Sequence, residues 1–197
     1  LLLALVALMV SSLVLGMGLP SAVCYLLLAT LVGPVLGQLG VIPLAAHLFI
    51  FYFGMMSMVT PPVALAAYTA AAIAGSGILK TSMAAFRFAL VGFTLPFLFV
   101  LWPELLMLSS DGGPVSILRV VEAVGVAAVG IVPLAAAIAG FLFAPLGAVQ
   151  RSLLVASSLL LLLPWGDGWG LSPSALAGLL VLVLVGLANF RRRAATA

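Results

Sequence analysis

Apolar runs long enough to cross a bilayer, divided by glycine and proline more than by charge, constrain this chain more than any other feature. A helix crossing the ~30 Å hydrocarbon core needs roughly 20 mainly apolar residues. Hydrophobic residues make up 66% of the 197, and charged residues only 6%. An ordinary soluble domain carries roughly 25% charge, so this chain cannot cover its own surface with polar groups. A soluble globular domain, a disordered chain and a nucleic-acid binder are thereby excluded. The net charge of +3 rests on seven basic and four acidic residues. Its placement reports membrane orientation rather than a partner surface. The single Cys24 allows no disulfide within the chain. No Cys/His cluster suggests zinc or haem.

Residue 1 is Leu and lies inside an apolar run without a basic start, unlike a signal peptide. The sequence is therefore expected to be the C-terminal part of a longer membrane protein. Periodicity does not place its helices, because most are apolar all round. Residues 1–15 and 21–35 are two short apolar arms around Gly16-Met17-Gly18-Leu19-Pro20. Gly33-Pro34 and then Gly37-Gln38-Leu39-Gly40 are expected to end the second arm. Each arm is short for a span, which suggests a re-entrant hairpin over residues 1–36 with its tip at mid-membrane. Residues 44–74 form one span broken at Met58-Val59-Thr60-Pro61-Pro62, where paired prolines interrupt helix. A short amphipathic helix over residues 80–89, carrying Lys80 and Arg87, is expected to lie along the interface. A span over residues 88–101 follows, then a loop with Glu104 and Asp111. Residues 109–197 read as an extension of about three transmembrane helices, with Pro133 inside the first and a Trp165-Gly166-Asp167-Gly168-Trp169 loop before the last.

Orientation follows from the charges. With Arg191-Arg192-Arg193 in the cytoplasm, Arg151 and the Lys80/Arg87 pair also fall inside, while Asp167 and the Glu104/Asp111 loop fall outside. That distribution obeys the positive-inside rule. Arg119 and Glu122 are three apart and can pair on one helix face.

Irregular backbone inside a membrane must be buried in protein or line a wet cavity. The two breaks lie in consecutive elements and are expected to meet near the bilayer midplane. Interrupted helices supply freed carbonyls for a cation and positive helix N-termini for an anionic cargo. Ser11, Ser12, Ser21, Ser57, Thr60, Tyr68 and Thr69 add hydroxyls around the breaks. His47 reads as a hydrogen-bonded packing residue more readily than as a proton relay. Phe49, Phe51, Tyr52 and Phe53 read as packing. An intramembrane hydrolase needs Ser with His or Lys, or two facing acids, and no such set lies at one depth. No catalytic residue is assigned.

Gly16-Met17-Gly18-Leu19-Pro20-Ser21-Ala22-Val23-Cys24-Tyr25 resembles a motif of the large or fused membrane permease subunit of TRAP transporters, DctM-like and of the TAXI type. So does Pro43-Leu44-Ala45-Ala46-His47-Leu48-Phe49-Ile50-Phe51-Tyr52-Phe53-Gly54, and Thr60-Pro61-Pro62-Val63-Ala64-Leu65-Ala66-Ala67-Tyr68 is similar to the family's Thr-Pro-Pro segment. The likeness runs over about residues 1–107 and is specific in combination. It implies a sodium-driven secondary transporter, to which a periplasmic substrate-binding protein delivers an organic acid. It further implies an elevator domain of two inverted repeats, residues 1–108 being the second. By the family pattern, sodium sits among Gly16, Gly18, Ser57, Thr60 and Pro61, mostly on backbone oxygens. Pro20, Ser21, Thr60 and Pro62 border the substrate cavity.

The expectation is an all-α, polytopic transmembrane helix bundle with a re-entrant hairpin and a broken helix. It is a multi-pass protein of the bacterial inner membrane with a cytoplasmic C-terminus. Sodium is its coupling ion, with no cofactor and no other metal. Its partners are the binding protein, an upstream part of the same permease with its small-subunit-like helices, the lipid bilayer and an organic acid substrate, and not nucleic acid. A non-transporting scaffold subunit is the rival reading, and an intramembrane enzyme the weaker one.

Overall fold

The computed structural model describes residues 1–163 and 172–196. Among them the chain is helical, with isolated bridge residues, such as Phe141 paired with Pro145, and no strand. This is the all-α membrane bundle the composition demands, since in lipid a helix satisfies its own backbone. Three helical runs are long and apolar enough to span: Ile78–Leu101, Ile117–Ala139 and Pro173–Arg192. The loop expected to hold Trp165, Asp167 and Trp169 lies outside the described residues. The chain divides into two compact units, Leu1–Gly113 and Pro114–Ala197.

In the first unit, α1 (Leu2–Gly16) and α2 (Ser21–Leu31) form a helical hairpin. The short α3 (Gly33–Gln38) follows. Gly33-Pro34 ends the second arm as expected: α2 stops at Leu31 and α3 starts anew at Gly33. Val32 keeps helical dihedrals, and Pro34 falls in the first turn of α3, where its missing N–H goes unused. Both arms of the hairpin pack on α4 (Pro43–Met56). Their shared core joins Leu5 and Leu8 of α1 and Cys24 and Leu28 of α2 to Phe49, Ile50 and Phe53 of α4. Phe49 and Phe53 meet at a 60° tilt with ring centres 4.9 Å apart, and they meet Phe97 and Phe93 edge-on at 5.1 and 5.5 Å. Those two aromatics of α4 therefore pack the core. Beyond the break, α5 (Leu65–Ala74) packs on α6 (Ile78–Gly92).

A separate interfacial element over residues 80–89 is not what forms. α6 runs on to Gly92, and Phe93 stays right-handed helical before α7 (Thr94–Leu101). No strong breaker falls between Lys80 and Phe93, and Pro96 sits in the first turn of α7, where it costs no ladder bond. Lys80 and Arg87 thus belong to the first part of a 24-residue rod.

The second unit contains α8 (Ile117–Ala139), α9 (Ala148–Leu162) and α10 (Pro173–Thr196), with α9 packed on both others. Adjacent serines of α9 serve different neighbours. Ser157 Oγ donates to the Gly178 carbonyl and Ser158 Oγ to the Gly130 carbonyl, each at 2.7 Å. A Cβ on Gly178 would meet the Ser157 carbonyl oxygen at 2.9 Å, and one on Gly130 would collide with Leu162. Small residues let these backbones approach, as membrane helices require. At the other end of α9, Arg151 Nε donates to the Ala137 carbonyl at 2.7 Å, satisfying an orphan acceptor of α8. The fully buried Asn189 accepts from the N–H groups of Phe143 and Ala144 at 2.9 Å each. Arg119 and Glu122 form no ion pair with each other.

Candidate functional site

α1 ends at Gly16, and its last carbonyls are closed by the N–H groups of Met17, Gly18 and Leu19. Proline at position 20 then fixes an extended turn residue, with φ −54 and ψ 140, that starts α2. The first bond of α2 runs from the Cys24 N–H to the Pro20 carbonyl. No side chain caps this N-terminus, which leaves the amides of Ser21, Ala22 and Val23 without helical partners.

The second break is built by covalent chemistry. Pro61 and Pro62 have no N–H to return to the carbonyls of Ser57 and Met58. The helix tightens into the 3-10 turn Ser57–Val59, and the Ser57 carbonyl takes the Thr60 N–H at 3.2 Å instead. The Pro61–Pro62 peptide is cis. Ala64, buried, takes the left-handed conformation at φ +39 before α5 begins. Such a conformation costs on the order of 1 kcal/mol or more for a residue with a Cβ and persists only where packing enforces it. Tyr68 Oη reaches back from α5 and donates to the Pro62 carbonyl at 3.0 Å.

The two breaks meet. A Cβ built on Gly16 falls 2.5 Å from Ser57 Oγ, 2.9 Å from Ser57 Cβ and 3.0 Å from the Gly54 carbonyl oxygen. Only glycine permits this approach. Gly16 and Ser57 are both buried. Ser57 Oγ donates to the Gly54 carbonyl at 2.7 Å, and Thr60 Oγ1 donates to the Met56 carbonyl at 2.6 Å. A hydroxyl that spends its hydrogen on a carbonyl still presents lone pairs. Ser57 Oγ, Thr60 Oγ1 and the Met58 carbonyl that Pro62 cannot bond are neutral oxygens of this break. Sodium, a hard cation, suits oxygen donors of this kind. No Asp or Glu precedes Glu104 in the chain.

The other expected site residues are spread along the turns. Thr60 is buried, Pro61 half-buried and Pro62 exposed. Gly18 and Pro20 are exposed at the hairpin turn, with open space around Gly18, and Ser21 is half-buried. Of the two hairpin glycines, Gly16 is the one that lies against Ser57.

Three residues that sequence reasoning left out of the site continue the seam below the junction. Cys24 Sγ lies 3.8 Å from a Cβ on Gly54 and donates to the Ser12 carbonyl at 3.7 Å. Ser12 is fully buried, and its hydroxyl has no hydrogen-bond partner. Its neighbours in type all have one: Ser57, Thr60, Ser82, Ser157 and Ser158 each bond a carbonyl. Ser12 and Gly16, four apart, are a small-residue pair that could have marked this face. At the next residue of α2 after Cys24, Tyr25 Oη and His47 Nδ1 are 3.0 Å apart, so His47 is hydrogen-bonded, as expected, and ties α2 to α4. Elsewhere, an apolar groove of about 270 Å³ in the second unit has Glu122 as its one charged lining residue. Its other lining residues are apolar. No cluster of three or more His, Cys, Asp or Glu exists among the described residues.

Helices interrupted in adjacent elements and joined at their interruptions mark the transporter class of helical membrane protein. Residues 1–111 match the family model for the tripartite ATP-independent periplasmic transporter, DctM component. The match covers more than half of the chain, and the chain belongs to this family of TRAP transporter membrane permeases. It is a family of transporters, not of enzymes, and one that works with periplasmic binding proteins. Comparison with curated proteins returns no match, and neither does comparison with solved structures.

Proposed function

We propose that this chain supplies a cation and cargo site of a permease that imports a small organic acid together with sodium. The contact of Gly16 with Ser57 and the Gly54 carbonyl carries this reading, because it joins the hairpin turn to the break of the following helix. Sodium would be held by Ser57 and Thr60 and by backbone oxygens at Gly16, Gly18 and Pro61. Neutral donors suffice, since the cargo brings its own negative charge. Pro20, Ser21, Thr60 and Pro62 would border that cargo. The uncapped N-termini of α2 and α5 favour a carboxylate through their free amides and helix dipoles. A periplasmic binding protein would deliver the acid. The hairpin and broken helix would then move as part of an elevator in the bacterial inner membrane, with the C-terminus cytoplasmic.

The test is uptake by vesicles carrying the intact permease and its binding protein. Thr60→Ala should raise the sodium concentration for half-maximal uptake about tenfold, the equivalent of ~1.4 kcal/mol, with normal expression. Unchanged sodium dependence would remove Thr60 from the site. Uptake indifferent to sodium would end the coupling proposal, and no uptake at all would favour a scaffold subunit.

A further inference from the structure

We propose that the groove of the second unit seats one acyl chain of a phospholipid whose head carries an ammonium group, a lipid of the phosphatidylethanolamine class. The groove lies between α8 and α10, with Leu161 of α9 in its lining. Glu122, Gly125 and Val129 line it from α8, and Leu176 and Leu179 from α10. Leu161 is buried, whereas Val129, Leu176 and Leu179 are exposed. Both α8 and α10 are long and apolar enough to span a bilayer, so these exposed side chains meet lipid or protein rather than water.

Depth selects the occupant. At 1.5 Å per residue, Glu122 lies about 8 Å along α8 from Ile117 and Val129 about 18 Å, close to the middle of a helix roughly 34 Å long. Half of a ~30 Å hydrocarbon core is about 15 Å. The groove therefore runs from near the headgroup level to the bilayer centre, one leaflet deep. A spanning helix of another subunit needs a seam through both leaflets, whereas a lipid tail ends where this groove ends. Gly125 keeps the wall open. A Cβ there would meet nothing within 4 Å, while one on Gly130 of the same helix would collide with Leu162 of α9. Gly130 brings a neighbour closer, and Gly125 leaves room.

The rim selects the head. Glu122 is the one charged residue of the lining and is half-buried. A carboxylate above apolar walls calls for a cation, and the lipid ammonium supplies it. Arg119, exposed one turn nearer the start of α8, is placed for the phosphate of the same head. The Cα–Cβ bonds of both residues tilt toward that end of the helix, which is the membrane surface. Arg119 and Glu122 do not pair with each other, and a zwitterionic head matches both. The anionic head of phosphatidylglycerol offers Glu122 no cation.

The experiment photolabels the intact permease in phosphatidylcholine vesicles that hold a trace of a diazirine-tailed phospholipid with either an ethanolamine or a glycerol head. Label on Leu176 and Leu179 is read by mass spectrometry after digestion and normalised to label elsewhere on the permease. In wild type the ethanolamine probe should label these residues about fivefold more than the glycerol probe, the factor one charge at a membrane surface is worth. Glu122→Gln should bring the ethanolamine probe down to the level of the glycerol probe. Arg119→Gln should lower both probes by the same factor, since both carry the phosphate. Gly125→Leu should fill the groove and take both probes to background. Equal labelling by the two probes in wild type overturns the assignment, and so does a preference that survives Glu122→Gln. Absence of label from either probe shows that protein covers the groove and overturns it as well. The first comparison needs wild type alone, so it does not depend on how any variant folds. Neither sodium nor cargo enters this measurement, so its outcome is independent of the transport reading.

Discussion

The two units use small polar residues in opposite ways. In the second, Ser157 and Ser158 donate across helix interfaces to the carbonyls of Gly178 and Gly130, and α8 runs unbroken for 23 residues even through Pro133. Their hydroxyls cement neighbouring helices. In the first, Ser57 and Thr60 donate to the carbonyls of Gly54 and Met56 in their own helix, just before the prolines that end it. Their lone pairs stay available where the backbone is irregular. The same residue types thus build a clamp in one unit and a ligand set in the other. Proline position decides which, because Pro133 has a regular helix around it whereas Pro61-Pro62 ends one.

The comparison can be broken at Gly16 first. Gly16→Ala places a methyl against Ser57 Oγ and the Gly54 carbonyl, and overpacking of this kind costs roughly 1–3 kcal/mol. Sodium-dependent uptake should fall at least tenfold and the melting temperature should drop. Wild-type uptake in that variant would show that the junction is not the working part. Ser157→Ala in the second unit should lower stability by about 0.6 kcal/mol, typical of a hydrogen bond between membrane helices. Its half-saturating sodium concentration should stay at the wild-type value, and a shift there would erase the distinction between clamp and ligand set. The smallest effect belongs to Ser12→Ala. Its buried hydroxyl has no partner, so removing it should leave the melting temperature unchanged or raise it slightly, where cutting a bonded serine lowers it. A marked loss of stability would mean that Ser12 does bond a partner.

Much of the first unit was legible before any coordinates. Gly16–Pro20 as a turn and Thr60-Pro61-Pro62 as a helix break follow from missing N–H groups and restricted dihedrals, which act locally. Gly33-Pro34 as the end of the second arm was legible too, since the residue before a proline disfavours helix, whereas the short α3 that starts there was not. Lys80 and Arg87 misled: an amphipathic pattern describes a surface, not where a helix stops. Tyr25 as the partner of His47, and Cys24 below the junction, carried no periodic signal, since helices that are apolar all round do not announce which face is inward.

Composition and punctuation by themselves determined an all-helical membrane protein with two interrupted helices, because a bilayer leaves a charge-poor chain few other ways to satisfy its backbone. Only the tertiary structure decided that the interruptions touch, that Gly16 rather than Gly18 faces Ser57, and that the buried Ser12 hydroxyl is left without a bond. Those outcomes depend on how close two backbones come, and that distance is set by packing between residues far apart in the chain.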